Sequence, residues 1–173
     1  MQRSKTPRLS HLAADGSARM VDVSGKAPTA RSATARAVVA LGRTAYAALD
    51  ASENRKGDAL SVARIAGISA AKRTADWIPL CHPLAFDAVE VSLERVPSRR
   101  LVEIRARVAG TASTGYEMEA MVAASAAALT LYDMCKGADK GIVIGPVELL
   151  EKSGGKSGSW RRKAARRRSG GRG

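Results

Sequence analysis

Hydrophobic and polar residues alternate along two neighbouring stretches in the middle of the chain. The apolar positions are Val89, Val91 and Leu93 in the first stretch, and Val102, Ile104, Ala106 and Val108 in the second. A period of two residues is typical of a strand that buries one face. Because the short segment 97–100 joins the two stretches, we predict an antiparallel hairpin.

A helix is predicted well before this hairpin. The chain becomes rich in alanine after Pro28 and stays so to Leu49. A proline followed by a stretch of strong helix formers is typical of a helix start. We therefore predict one helix from Pro28 to Leu49, with Arg31, Arg36 and Arg43 on its wetter side.

A second helix is predicted to start at Asp58, because an aspartate at that place can accept a hydrogen bond from a free backbone amide. Apolar or small residues follow at helical spacing: Leu60, Ala63, Gly67 and Ala71. The helix should run to about Asp76, since Pro79 prevents its continuation.

The best-defined helix is predicted after the hairpin. Residues 114–117 (Thr-Gly-Tyr-Glu) have the spacing of a capping box, in which the first and last side chains satisfy free backbone amides. Residues 118–136 are rich in Ala, Met and Leu, which predicts a long buried helix that Gly137 can end.

Short apolar runs complete the pattern. Residues 20–23 predict an extended piece, and residues 142–144 and 147–150 predict a last strand that is interrupted at Gly145-Pro146. The predicted strands are mixed with helices, and two of the strands form an antiparallel pair. This combination predicts an α+β fold. We expect an antiparallel sheet covered by helices on one face.

Length and composition favour one domain in a reducing compartment. The chain has 173 residues, of which 45% are hydrophobic, enough for one sizeable core. The sequence has no run of some 18 apolar residues and no apolar stretch typical of a secretory signal, so we expect a cytoplasmic protein. Cys81 and Cys135 belong to no CxxC pair, which favours free thiols over a disulfide or a zinc site.

The net charge of +13 is concentrated at the two ends of the chain. Residues 161–173 contain seven basic residues and no acidic one, and Arg3, Lys5 and Arg8 are equally unopposed. Residues 9–160 have 19 basic and 16 acidic residues, a net charge of +3. We predict a disordered basic segment over 1–8, a single domain with the catalytic residues over 9–160, and a disordered basic tail over 161–173 that binds polyanions non-specifically.

Polar residues that can carry chemistry cluster at five places. These are residues 56–58 (Lys-Gly-Asp), 80–83 (Leu-Cys-His-Pro), 117–119 (Glu-Met-Glu), 133–136 (Asp-Met-Cys-Lys) and 153–158 (Ser-Gly-Gly-Lys-Ser-Gly). The last is not a P-loop, because Leu150 stands where that motif needs its first glycine. It is either a plain linker or a flexible loop that brings Lys156 to a phosphate.

A structural explanation competes with a functional one at three of these places. His82 is either a loop histidine satisfied by a backbone group or a proton-exchanging and phosphate-binding residue. Glu117 is either a helix cap or a site residue, whereas Glu119 is not needed for the cap. Asp133 and Lys136, three residues apart, form either a surface ion pair or a poised proton donor and acceptor.

Together, and in this order, the five clusters resemble the cyclic pyranopterin monophosphate synthase family. Residues 20–24 (Met-Val-Asp-Val-Ser), 64–68 (Arg-Ile-Ala-Gly-Ile) and 71–74 (Ala-Lys-Arg-Thr) add to the resemblance. It covers about residues 9–158 and does not extend to the basic tail. Tyr116 departs from it, since a small aliphatic residue is expected there.

The resemblance implies a fold and a reaction. The fold would be ferredoxin-like. The reaction would be that of a lyase in molybdenum cofactor biosynthesis, which converts 3′,8-cyclo-7,8-dihydroguanosine 5′-triphosphate, a cyclised GTP derivative, to cyclic pyranopterin monophosphate with release of pyrophosphate. No cofactor is expected, and the protein itself should bind no metal, although Mg²⁺ can be carried by the substrate phosphates.

The resemblance also implies which residues act. Asp133 and Lys136 would be catalytic, and the substrate would be bound by Leu80, Cys81, His82, Met118 and Glu119. Glu117 is a further candidate for substrate binding. A triphosphate needs several cations, and the candidates are Lys56, Arg64, Lys72, Arg73 and Lys156.

Family members form higher oligomers, so a homo-oligomer is expected, as a hexamer built from three dimers. The predicted long helix adds an argument of its own, because Glu119 and Asp133 stand roughly 21 Å apart along it at about 1.5 Å per residue. A substrate that meets both must lie between two chains.

Two other classes of function stay open. A nucleic-acid or anionic-surface binding protein would explain the basic ends, but aromatic residues make up only 3% of the chain and no stacking platform accompanies the charge. A structural oligomer of the same fold without activity would be favoured by broken polar clusters, and the clusters are intact.

Overall fold

The computed structural model describes residues 9–13, 15–50 and 58–163. The elements in chain order are β1 (Thr29–Ala40), α1 (Gly42–Asp50), α2 (Ala59–Ala71), α3 (Thr74–Trp77), β2 (Ala88–Val96), β3 (Leu101–Ala112), α4 (Glu117–Cys135), β4 (Val143–Ser153) and β5 (Trp160–Arg161).

The five strands form one sheet in the order β2-β3-β1-β4-β5. Every neighbouring pair is antiparallel. Strand β3 lies between β1 and β2, and β1 lies between β3 and β4, so two β-α-β units are interlocked. This is the ferredoxin-like arrangement, and the expected α+β fold is confirmed.

The core is built largely from small side chains. Strand β1 buries Ala33, Ala35, Ala37 and Val39, each at most 1% exposed. Helix α4 packs on this face and buries a set of its own alanines: Ala120, Ala123, Ala124, Ala127 and Ala128. Alanine on both sides lets the helix lie close to the sheet, because a methyl group needs little space.

The prediction of one helix from Pro28 to Leu49 is wrong. Residues 29–40 form the central strand β1, and only Gly42–Asp50 is helical. The physical reason is the alternation within this stretch, which buries every second residue and turns Arg36 to the opposite face, beside Glu103 and Glu148. Burial in a sheet overrides the helical preference of alanine.

The other elements need smaller corrections. Asp58 is confirmed as an N-cap and accepts a hydrogen bond from the Leu60 amide at 3.1 Å. The predicted second helix is two helices, because α2 ends at Ala71 and α3 is a separate short turn. Residues 20–23 form no strand, whereas the last strand continues through Gly145-Pro146.

The hairpin and the long helix are confirmed, but the capping box is wrong. Helix α4 starts at Glu117, and its N-cap is Tyr116, which makes no side-chain capping bond. Glu117 is therefore the first residue of the helix and not the third after a threonine cap. Its carboxylate instead folds back over Gly115, where a side chain would collide with it.

The face of the sheet opposite α4 carries a network of charged side chains. Arg36 pairs with Glu148 and with Glu103, and Arg162 reaches Glu148 on the same face. Arg161 lies in β5, and the backbone amide of Arg162 donates to the Leu150 carbonyl at 2.7 Å.

The predicted domain boundary after residue 160 falls inside β5. Residues 1–8 and 164–173 lie outside the described part. Within it, no helix combines the length and the apolar character needed to cross a membrane.

Candidate functional site

A cavity of about 680 Å³ lies beside the start of α4. Three segments of the chain line it, and they come from distant parts of the sequence: residues 10–26, residues 78–82 and residues 114–118. Five of the predicted site residues belong to this lining: Leu80, Cys81, His82, Glu117 and Met118.

The segment before His82 is held by the end of the helical layer. The buried Thr74 hydroxyl donates to the Ala71 carbonyl at 3.0 Å and joins α3 to the end of α2. The Cys81 amide then donates to the Ile78 carbonyl at 3.0 Å and closes a turn. A proline follows His82, so the chain leaves the helical layer in an extended form that presents residues 80–82 to the cavity.

Glu119 is not among the residues that line the cavity; it directly follows Glu117 and Met118 in the first turn of α4 and is 2% exposed. Neither of its carboxylate oxygens has a hydrogen-bond partner among the described residues. Burial raises the pKa of Glu119 to about 7, and the nearby charge of Glu117 acts in the same direction. Glu119 therefore changes protonation state near neutral pH, which suits a group that both donates and accepts a proton.

Cys81 is coupled to the same carboxyl group. Burial raises the pKa of the Cys81 thiol, and the charge of Glu119 raises it further. The thiol is thus held in its neutral form. A neutral thiol is a weak nucleophile, so this environment does not favour Cys81 as a nucleophile.

Tyr116 lies directly beneath the start of α4 and is fully buried. Its hydroxyl donates to the Ala85 carbonyl at 2.8 Å, and its ring meets the edge of Phe86 with centroids 6.3 Å apart. These contacts tie the first turn of α4 to the segment that follows His82. The departure from the family pattern at this position therefore joins the loop before α4 to residues 85–86, which follow the lining segment 78–82 in the chain.

The third wall of the cavity was missed by the sequence reasoning. Residues 10–26 contribute Ser10, His11, Val21 and Lys26, and the loop before α4 contributes Thr114 and Gly115. Asp22, in the motif at residues 20–24, accepts hydrogen bonds from the Ser24 amide and hydroxyl, which lower its pKa. The charges of Lys26 and His82 lower it slightly more. That motif was a signal for this wall, but no role was assigned to it.

Asp133 and Lys136 lie at the other end of α4. Lys136 Nζ and Asp133 Oδ1 are 2.5 Å apart, and the two side chains are 49% and 56% exposed. The hydrogen bond from Lys136 and the charge of Asp133 raise the pKa of the lysine. The expected ion pair is present, but it is exposed in the single chain, and the chain does not bring it to the cavity.

The predicted cations are spread over the surface. Arg64 is exposed on α2, and Arg73 lines a different groove with Trp77 on the helical face. Lys72 ends α2 and is exposed, whereas Lys56 lies outside the described residues. None of the described members of this set lines the cavity beside α4.

The loop that carries Lys156 is anchored on one side. Arg31 donates to the Ala112 carbonyl at 2.8 Å and to the Ser113 carbonyl at 3.2 Å. Its guanidinium fills the space that a side chain on Gly155 would need, and Gly155 has a positive φ of 69°. Arg31 therefore packs this loop against the end of β3, while Lys156 itself is exposed.

A second cavity of about 690 Å³ lies on the open face of the sheet. Its charged lining comes from Arg36, Arg105, Glu148, Glu151, Arg161, Arg162 and Lys163. It contains none of the predicted site residues, so it is not where those clusters meet. In the part of the chain that the structure describes, no three His, Cys, Asp or Glu side chains are grouped to hold a metal ion.

Known proteins resemble this chain along most of its length. The sequence model of a family described as the MoaC family matches residues 20–155. A relative from Geobacter metallireducens (strain ATCC 53774 / DSM 7210 / GS-15) is 54% identical over 154 residues, which is 89% of this chain and 96% of the relative. That relative is named cyclic pyranopterin monophosphate synthase. The family match includes residues 80–83 and both ends of α4.

Proposed function

The chain belongs to the MoaC family, and from this we propose the reaction that it performs. It is a lyase of molybdenum cofactor biosynthesis that converts 3′,8-cyclo-7,8-dihydroguanosine 5′-triphosphate to cyclic pyranopterin monophosphate and pyrophosphate. The observation that carries the proposal is the cavity beside α4, where residues 80–82 meet Glu117 and Met118, and where the charge of the buried Glu119 acts on Cys81.

The chemistry of this cavity suits the purine-derived part of the substrate. Such a ring carries several N–H groups, and the carboxyl groups of Glu117 and Glu119 are hydrogen-bond acceptors when ionised. Glu119 is the stronger candidate for proton transfer, because its pKa of about 7 lets it both take up and release a proton at neutral pH. His82 adds a second side chain at the cavity whose ring nitrogens donate or accept hydrogen bonds.

Asp133 and Lys136 are the proposed catalytic pair, and one chain does not place them at the cavity. Glu119 and Asp133 are on one continuous helix, α4, and stand roughly 21 Å apart along its axis at about 1.5 Å per residue. We therefore propose that the pair of one chain completes the cavity of another across a two-fold axis.

Shared sites require a homo-oligomer, and we propose a hexamer built from three dimers. Large apolar side chains are exposed on the helical face of the single chain: Val62, Ile65, Trp77 and Leu129. Trp77 and Leu129 line one groove, and an exposed apolar groove is typical of a face that another protein covers. The exposure of Asp133 and Lys136 also leaves them accessible to a second chain.

The triphosphate needs positive charge that the cavity alone supplies only in part. Lys26 and His82 lie at the cavity, and Lys56, Arg64, Lys72, Arg73 and Lys156 are the proposed further cations. In a shared site these residues can come from either chain. We propose that no cofactor takes part, other than Mg²⁺ carried by the substrate phosphates. The enzyme would act in the cytoplasm, and its basic tail would bind polyanions without specificity.

The direct test is to incubate the full-length protein with the cyclised nucleotide and to measure both products. Pyrophosphate and cyclic pyranopterin monophosphate should appear in equal amounts, in proportion to the protein. A Glu119→Gln variant, which keeps the side-chain volume, is the matched control and should release little of either. Substrate that stays intact with the folded wild-type protein and Mg²⁺ would contradict the proposed function.

A further inference from the structure

The first described residues of the chain form a hairpin against the cavity. This N-terminal hairpin consists of residues 9–13 and 15–19, and its strands meet at a bridge between Leu12 and Ala18. The Arg19 amide donates to the His11 carbonyl at 2.9 Å, and the Ala13 amide donates to the Ser17 carbonyl at 2.9 Å. Backbone bonds therefore hold the hairpin together without help from the histidine side chain.

The side chain of His11 is exposed, yet it has a fixed partner. Its Nδ1 lies 3.3 Å from the Arg19 carbonyl oxygen. A carbonyl oxygen only accepts hydrogen bonds, so Nδ1 must carry the proton in this contact. In the neutral imidazole Nε2 is then unprotonated and is a hydrogen-bond acceptor. The hairpin thus sets both the orientation and the tautomer of the ring.

His11 lines the cavity beside α4 together with residues 80–82 and the start of α4. The same cavity has an apolar part, formed by Val21, Ile78 and Leu80, that suits a flat ring. Its polar part includes Glu117, another acceptor. A ring system rich in N–H and O–H donors fits a cavity whose lining includes these two acceptors.

We propose that His11 contacts the substrate and that its Nε2 accepts a hydrogen bond from an N–H or O–H group of the purine-derived ring system. The N-terminal hairpin is then a wall of the active site that holds one polar contact in place. This inference rests on the function proposed above and adds a residue for substrate recognition. The hydrogen bond of His11 with the Arg19 carbonyl would then pre-organise the site, because a ring with a fixed tautomer binds its ligand without reorganisation.

Two substitutions separate this role from a purely structural one. In His11→Asn the side-chain amide can replace Nδ1 and keep the bond to Arg19, but nothing replaces Nε2. In His11→Gln the longer side chain can place its amide oxygen where Nε2 was. We expect kcat/KM for the cyclised nucleotide to fall about tenfold or more in His11→Asn, the usual effect of losing one hydrogen bond in a site. It should stay within about threefold of the wild-type value in His11→Gln.

Arg19→Ala is the matched control in the same hairpin, because only the backbone carbonyl of Arg19 is used, and it should behave like the wild type. A fully active His11→Asn variant beside an active wild type would overturn this inference and leave the proposed function standing. An equal loss of kcat/KM in His11→Gln and His11→Asn would also overturn this inference and leave the proposed function standing. A wild-type protein that releases no pyrophosphate would overturn the proposed function, and this inference with it.

Discussion

Gly67 of α2 lies against the backbone of Ala123 in α4. A Cβ atom on Gly67 would stand 2.9 Å from the Ala123 carbonyl oxygen and 3.3 Å from Ala127 Cβ. The oxygen belongs to a buried helix and cannot move away as a flexible side chain can. The approach of α2 to α4 therefore depends on the absence of a side chain at this glycine.

Gly67→Ala should destabilise the fold by about 1–3 kcal/mol, the usual cost of an extra methyl group in a packed core. Gly137→Ala is the matched control, because a Cβ there meets nothing within 4 Å. It should be neutral or slightly stabilising. Denaturant unfolding of both variants measures the difference, and equal stabilities would show that α2 and α4 are not packed this closely.

Glu119 gives a prediction on pH. Its pKa in the folded protein, about 7, lies above the ordinary glutamate value of 4.5. The folded state therefore binds more protons between these values, and this carboxyl group makes the fold less stable as the pH rises from about 4.5 to 7. Glu119→Gln has no such proton to lose. At pH 8 the variant should be more stable than the wild type by about 1–3 kcal/mol, and it should be inactive.

Denaturant midpoints of both proteins at pH 5 and pH 8 test this. The other titrating groups are the same in both proteins. The stability difference between wild type and variant, and its change from pH 5 to pH 8, therefore reports on Glu119. Glu90→Gln removes a charge from an exposed position on β2 and is the control. A Glu119→Gln protein that is less stable than the wild type at pH 8 would contradict the burial of an ionisable carboxyl group.

The sequence predicted the hairpin, the long helix α4 and the Asp58 cap, because each has a local pattern that agrees with its tertiary surroundings. It failed at β1, where alanine favours a helix and burial favours a strand. The alternation of Ala33, Ala35 and Ala37 with polar residues was the signal for a strand. That signal is weak in sequence, because alanine is not a strongly apolar residue.

The candidate site was predicted in part. The polar clusters around His82 and Glu117 were found as short motifs, and the structure brings them to one cavity. His11 and Lys26 were missed, because their place at the cavity depends on where the N-terminal residues fold back and no local pattern gives that. The roles of the site residues stay predictions, and those of Asp133 and Lys136 further depend on a second chain.

The end of the chain should not take part in catalysis. Deleting residues 164–173 removes four arginines, and we expect turnover to stay unchanged while salt-sensitive binding to a single-stranded polyanion such as poly(U) falls. Deleting residues 161–173 also removes β5 and the ion pair of Arg161 with Glu151, so thermal stability should fall as well. Loss of turnover in the shorter deletion, with an unchanged melting temperature, would assign the tail to the active site.

Asp133 and Lys136 should be needed for turnover and not for folding. Asp133→Asn or Lys136→Ala should lower kcat by on the order of a hundredfold or more. Thermal unfolding should hardly change, because exposed ion pairs contribute little to stability. Asp50→Asn, which breaks the similarly exposed pair of Asp50 with Arg95, is the control and should keep full activity. Near-normal kcat in either site variant would remove the pair from the catalytic machinery.

Activity in mixtures of two inactive variants tests most directly whether the substrate lies between two chains. Glu119→Gln and Lys136→Ala proteins are mixed in equal amounts under conditions where subunits exchange, and pyrophosphate release is measured. A hybrid dimer has one site with both an intact Glu119 and an intact Lys136, so random pairing should restore about a quarter of the wild-type sites. No recovery after demonstrated exchange would show that each chain works alone and would contradict the shared site.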